Sequence, residues 1–242
     1  VHTLIGSGLD RWQECHWHLH QMESNYHEPE PFRFALNSFI RCAKEMPLVL
    51  RHDVQADPAA RVVVKKHLER LEATGLFKVL KKRRDFIVHQ GMLTLQSKGQ
   101  IGTVEGRKVK ISFPFPVYPD ESSDDAYDRY KEECKKDSFL RGLGPDCDSA
   151  PALWRTWRIA DLPDSDLLEV AFDAWTLLGQ ALSSTIMELG GEALDLSLPC
   201  RHSPGEVQVR VYSQHEFFLS VDGIDLAEEG RRLQEERARR RK

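Results

Sequence analysis

The stretch from Asp164 to about Leu189 constrains the fold more than any other part of the chain. Leu167, Leu168, Ala171, Ala174, Trp175, Leu178, Ala181, Leu182, Thr185 and Ile186 recur at helical steps. That spacing lays a broad apolar stripe along one face, which only other packed elements can cover. Asp164 stands where an N-cap belongs, and Gly190-Gly191 closes the run.

The first ninety residues supply candidate partners. Leu9, Trp12, Leu19, Met22 and Tyr26 predict a helix from about Leu4 to Tyr26, ended by His27-Glu28-Pro29-Glu30-Pro31. A second helix is predicted from Phe32 to Arg51, with Pro47 kinking or shortening it. Asp57-Pro58 reads as the cap and first turn of a third helix, which stops or bends at Thr74-Gly75. A fourth runs from about Leu76 to Gln90, with Gly91 in the place of a helix-terminating glycine.

The pattern then changes. Leu93, Leu95, Ile101, Val104, Val109, Ile111 and Phe113, punctuated by Gly99, Gly102 and Gly106, predict a strand meander that Pro114, Pro116 and Pro119 end. Asp120–Ser149 is polar and acidic and is expected to be a mobile surface segment holding one short helix near Tyr127–Lys136. Trp154 and Trp157 suit a strand or an anchoring loop, where packing is the default and stacking on a base the alternative. Val207/Val209/Val211 and Phe217/Leu219/Val221 alternate as the two arms of a β-hairpin. The expected fold is therefore mainly α: a helical bundle from residues 1–91 and 164–191, a β-rich and acidic insertion at 92–163, a C-terminal β-hairpin at 192–225 and a basic tail at 226–242.

Charge and cysteine usage narrow the function classes. The net charge of −4 hides a tail, Arg231–Lys242, with seven basic and two acidic residues, which leaves the rest of the chain at −9. An acidic body offers no broad nucleic-acid surface, so any polyanion site must be a local patch. Five scattered cysteines, with no C-x-x-C pair, predict reduced thiols and a cytoplasmic protein. No apolar run approaches the ~20 residues that span a bilayer, so no membrane partner is expected. The chain begins at Val1 without a visible export signal, although a trimmed one is compatible with the missing initiator Met. No P-loop, G-x-G-x-x-G or Ser-His-Asp order is present.

One motif carries possible chemistry. Arg84-Asp85-Phe86-Ile87-Val88-His89 fits R-x4-H and ends the basic run Lys78, Lys81, Lys82, Arg83, Arg84. A histidine near neutral pKa can shuttle the protons of RNA cleavage, and an arginine can hold the scissile phosphate without a metal. Asp85 would orient His89 or Arg84 or bind a substrate hydroxyl, while Lys81, Lys82 and Arg83 would attract the RNA backbone. The spacing also occurs at Arg11–His16 and Arg210–His215. The bland alternative is a solvated helix end capped by His89. Residues five apart on an ideal helix point about 140° apart, so convergence asks for a long arginine, a distorted helix end or a second subunit.

With Trp12, Met22-Glu23, Tyr26, Pro31-Phe32, Leu36-Asn37-Ser38-Phe39-Ile40 and Arg84…His89-Gln90-Gly91, the chain resembles the HEPN superfamily. The resemblance implies an HEPN-like bundle and a metal-independent endoribonuclease whose cleft forms in a homodimer. A toxin or defence effector answering to an antitoxin or regulatory protein would be one setting. Asp85 departs from the Asn common at that position, and the β-rich segment lies outside the minimal bundle. The alternative is a non-catalytic HEPN-like module that binds a protein or nucleic acid.

Two further groups are read as surface chemistry, and neither a cofactor nor a metal is expected. Asp124, Asp125, Asp128, Glu132 and Glu133 form a solvated charge run without a ligand loop. His16, His18, His20 and His27 cluster in the first helix, where His16 and His20 share a face as in a two-His metal site. Only Glu23 and Cys15 stand nearby in sequence as further ligands, so these histidines are read as polar residues of a half-buried face, with His16 held in reserve as a lining of a bundle cleft.

Overall fold

The computed structural model describes residues 4–89 and 91–240. Gln90, at the predicted end of the fourth helix, and Arg241 and Lys242 of the tail lie outside the described residues. In chain order the elements are α1 (Gly6–Ser24), α2 (Pro29–Asp53), α3 (Pro58–Ala73), α4 (Gly75–His89), β1 (Gln96–Glu105), β2 (Lys108–Pro114), α5 (Ser123–Lys136), α6 (Ser138–Gly142) and β3 (Ala150–Arg158). They continue with α7 (Leu167–Glu188), α8 (Pro204–Val207), β4 (Val209–Val211), α9 (Gln214–Asp222) and α10 (Leu226–Arg240). The fold is mainly α, and the chain forms two compact units: Val1–Gln96 with Trp157–Pro204, and Ser97–Thr156 with Gly205–Lys242.

In the first unit α1 pairs with α2, and α7 packs on both α1 and α3. The predicted apolar faces are the buried ones: Trp12, Leu19 and Met22 from α1, Phe32, Leu36, Phe39 and Ile40 from α2, and Leu178, Leu182 and Ile186 from α7. Trp12 and Trp175 stack with ring centroids 4.4 Å apart. Each indole N–H donates to the other residue's backbone carbonyl at 3.2 Å, which satisfies two buried donors at once. Gly179 makes the approach possible, since a Cβ there would meet Trp12 Cζ2 at 2.9 Å.

Two boundaries differ from the sequence reading. α2 runs unbroken through Pro47, whose neighbours Ala43, Met46 and Leu50 are all buried, so core packing offsets the missing N–H. The N-cap of α7 is Asp166 rather than Asp164; its carboxylate accepts the Leu168 and Trp157 backbone N–H groups, both at 3.0 Å, and the Tyr26 hydroxyl. Burial raises the Asp166 pKa despite those bonds. Gly91 does adopt a positive φ, +132°, after α4, as a glycine there predicts.

The second unit holds a four-stranded sheet in the order β2-β1-β3-β4. β1 and β2 form the expected antiparallel pair, closed between Glu105 and Lys108 with Gly106 at φ 59°, and their register shifts between Thr103 and Val104. Gly102 is obligatory, because a Cβ would stand 2.0 Å from the Ile111 carbonyl oxygen. The acidic segment is not a loose surface loop: α5 buries Ala126, Tyr127, Tyr130 and Cys134 in a core with Ile101, Phe115, Leu153 and Phe217. Its acidic residues lie on the other face, which is why composition misleads.

The predicted C-terminal hairpin is corrected. Val209–Val211 is a strand, but it pairs antiparallel with β3, and residues 214–222 are helical. Ser213 caps that helix by accepting the Glu216 N–H at 3.3 Å, Gly223 ends it at φ 70°, and Phe217 is buried. The alternation of Phe217, Leu219 and Val221 yields to these cap signals and to burial of one helix face.

Candidate functional site

The R-x4-H step lies on the last turns of α4. Arg83 is paired with Asp161 at 2.7 Å and Lys82 reaches the same carboxylate at 3.4 Å, which holds the Asp161 pKa below its ordinary value. Arg84 Nη1 donates to Asp85 Oδ1 at 3.3 Å. His89 and Lys81 are exposed. Among the described residues no hydrogen bond or ion pair joins Arg84 or Asp85 to His89. Asp85 thus engages Arg84, and the basic run is partly neutralised by Asp161.

A second constellation forms on α1. His16 and His20 are one turn apart and project on the same face, with their Nε2 atoms 3.1 Å apart. Cys200 Sγ lies 3.4 Å from His16 Nε2, and the three donor atoms all fall within 4.8 Å of one another. Behind them Glu23 is buried, with Oε2 at 2.7 Å from His20 Nδ1. A carboxylate there fixes Nδ1 as the protonated nitrogen and leaves the His20 Nε2 lone pair facing His16 and Cys200.

Local packing explains why these groups meet. The Trp12–Trp175 lock sets α1 against α7, and Trp175 also lies 5.2 Å from the His16 ring. After α7 the chain runs without helix or strand from Gly191 to Ser203, then enters α8. That strap is fastened by the Leu194 N–H on Ser183 Oγ (3.0 Å), by the Arg201–Glu169 ion pair, and by the Arg201 guanidinium 4.2 Å over the Phe172 ring. A turn closed by the Arg201 N–H on the Leu198 carbonyl, at 3.0 Å, presents Cys200. The His202 N–H then donates to Glu23 Oε1 at 3.1 Å.

Burial, reinforced by the neighbouring His20, lowers the His16 pKa, so its imidazole is uncharged near neutral pH. Two imidazole nitrogens with lone pairs 3.1 Å apart repel unless a proton or a cation lies between them. The two separations about His16 Nε2 lie close to those of a zinc site, whose bond lengths and tetrahedral angles put donor nitrogens about 3.3 Å apart, and nitrogen and sulfur about 3.6 Å apart. His18 and His27, the other members of the sequence cluster, are elsewhere: His18 faces Glu14 at 3.8 Å and His27 packs on Tyr26. Cys15 is buried against Cys42, their sulfurs 3.1 Å apart.

Sequence reasoning names His16, His20 and Glu23 but misses Cys200, which lies 184 residues from His16. The available signal was Cys200-Arg201-His202, a ligand pair at one-residue spacing that a search for C-x-x-C passes over.

The molecule is thus a mainly α protein with a His–His–Cys cluster backed by a buried carboxylate. Residues 8–110 match the family of the bacteriophage lambda protein ea47, a stretch that spans α1 to β2 and includes His16, His20 and Glu23. No curated protein and no solved structure matches the chain. The family match is to ea47 and not to HEPN, which overturns the resemblance drawn from the sequence. Apolar periodicity is common to helical bundles in general, and R-x4-H occurs three times in this chain, so neither feature discriminates.

Proposed function

We propose that this chain is a transition-metal-binding protein whose centre uses His16 Nε2, His20 Nε2 and Cys200 Sγ, with Glu23 orienting His20. The observation that carries this reading is the spacing of the three donors, 3.1 Å and 3.4 Å about His16 Nε2. Two imidazoles and a thiolate suit Zn²⁺ and its transition-metal neighbours rather than Mg²⁺ or Ca²⁺, because the set is borderline-soft and lacks the oxygen donors that Mg²⁺ and Ca²⁺ require.

The test is titration of the purified full chain with Co²⁺, which replaces Zn²⁺ and reports thiolate ligation by a near-ultraviolet charge-transfer band. One equivalent should bind and give that band, Zn²⁺ should displace it, and Cys200→Ser should abolish it. A wild-type protein that gives no band and retains no Zn²⁺ on dialysis contradicts the reading.

Metal-independent RNA cleavage by Arg84 and His89 is a second reading, favoured by the exposed imidazole at the end of α4 and by exposed Lys81 and Lys82 about two turns earlier on the same helix. It predicts RNA cleavage in EDTA that His89→Ala abolishes. Intact RNA at high protein concentration removes it. A protein or nucleic-acid complex that survives His89→Ala would instead mark a non-catalytic binding module.

A further inference from the structure

The three donors leave one position of a tetrahedral zinc site to be filled. In catalytic sites that position holds water; in structural sites a fourth protein ligand takes it. Resting on the metal-binding reading above, we infer that His202 is the fourth ligand, and that the closed centre is a clasp fastening the Gly191–Ser203 strap to α1.

The placement of His202 supports this. It follows Cys200 by two residues, and its backbone N–H is tied to Glu23 Oε1 at 3.1 Å, so its main chain is anchored beside the donors. Its Nδ1 lies 3.9 Å from Glu23 Oε2, the same oxygen that holds His20 Nδ1 at 2.7 Å. The imidazole therefore stands near the carboxylate oxygen that holds His20, beyond hydrogen-bond reach of it. The His202 side chain is 66% exposed, so it can turn about its two side-chain torsions without displacing core atoms.

The strap gives the clasp a purpose. Irregular segments longer than about 12–15 residues are uncommon in compact domains unless function or a fastening holds them. Leu194 and Leu196 are only half-buried and most of their neighbours are exposed, so apolar burial supplies little hold. Cys200 and His202 stand at its far end, where two bonds to a metal held by α1 would close the loop. Glu23 is engaged by both the His20 ring and the His202 main chain, so it serves as a positioning residue for the ligands on each side.

The experiment compares wild type, His202→Gln and His202→Ala as full chains, with Co²⁺ and Zn²⁺ as probes and amide hydrogen exchange as a second readout. The inference predicts that His202→Gln lowers affinity about 10- to 100-fold while keeping the Cys200-dependent band, by analogy with the loss of supporting groups at zinc sites. Free imidazole should restore the intensity of the visible Co²⁺ bands in His202→Ala. Zn²⁺ should protect amides of residues 191–203 in the wild type and much less in His202→Gln. Equal affinity, spectra and protection in wild type and His202→Gln overturn the inference and leave a three-ligand site with a water. A wild type that binds neither ion defeats the underlying metal reading instead. Because His202 is exposed, its variants are expected to keep the wild-type circular dichroism spectrum.

Discussion

The two units use their polar side chains in different ways. In the first, buried polar groups converge: Asp166 collects two backbone N–H groups and a tyrosine hydroxyl, and Glu23 gathers a histidine ring and a strap N–H above further ligand-type side chains. In the second, the charged groups pair off near the surface, as in Lys110–Asp146, Arg129–Glu121 and Arg141–Asp222. Its core polarity comes from tyrosines, with Tyr127 and Tyr212 stacked at 3.7 Å, and from the buried Arg155, whose guanidinium donates to the Glu121 and Tyr118 backbone carbonyls at 2.7 and 2.9 Å. Pairs that satisfy each other leave nothing to offer a ligand. Donors gathered on one atom-sized space do, and that difference locates the candidate chemistry in the first unit.

The largest effect that would sharpen this contrast is in metal affinity. Cys200→Ser should cost at least about a hundredfold in Zn²⁺ affinity, measured against a chromophoric chelator, while Cys147→Ser, an exposed thiol of the second unit, should cost nothing. If the two variants lose affinity equally, the contrast collapses. Glu23→Gln should follow, with a loss of about 10- to 100-fold, because it removes the acceptor that sets the His20 tautomer. Packing comes next. Gly102→Ala should destabilise the second unit by about 1–3 kcal/mol in urea unfolding, and leave Zn²⁺ affinity unchanged.

Alkali should separate the units more mildly. Burial raises the pKa values of Tyr127, Tyr130 and Tyr212 above the ordinary phenol value near 10. The unfolded chain therefore loses these protons first as pH climbs past about 10, and ionisation there favours unfolding. Stability of the second unit should be full below pH ~10 and fall above it, seen as a melting transition that moves down by several degrees. A transition that holds steady through that range would contradict the buried-tyrosine core. The smallest effect belongs to His89→Ala, an exposed position, which should alter stability by no more than about 0.5 kcal/mol and metal binding not at all.

Legibility in the sequence divides along the same line. The helices of the first unit carry their own address, since Trp12, Leu19 and Met22 or Leu178, Leu182 and Ile186 repeat at the period of the face they bury. In the second unit local pattern and tertiary context disagree. The run Phe217–Val221 alternates like a strand, yet its Ser213 and Gly223 caps make it a helix, and α5 hides four core residues behind an acidic face. The candidate site was half legible for a related reason. His16, His20 and Glu23 share one helix and appear by spacing, whereas Cys200 reaches them only through the strap after α7. The R-x4-H motif had the opposite fate: it was conspicuous in sequence, and in space its Asp85 turns to Arg84 while Arg83 and Lys82 engage Asp161.

X-ray absorption on this chain loaded with Zn²⁺ and dialysed against metal-free buffer tests the central claim most directly. The account predicts one retained equivalent with a single sulfur at about 2.3 Å and nitrogen neighbours at about 2.0–2.1 Å. A shell of oxygens without sulfur, or no retained metal, would contradict it.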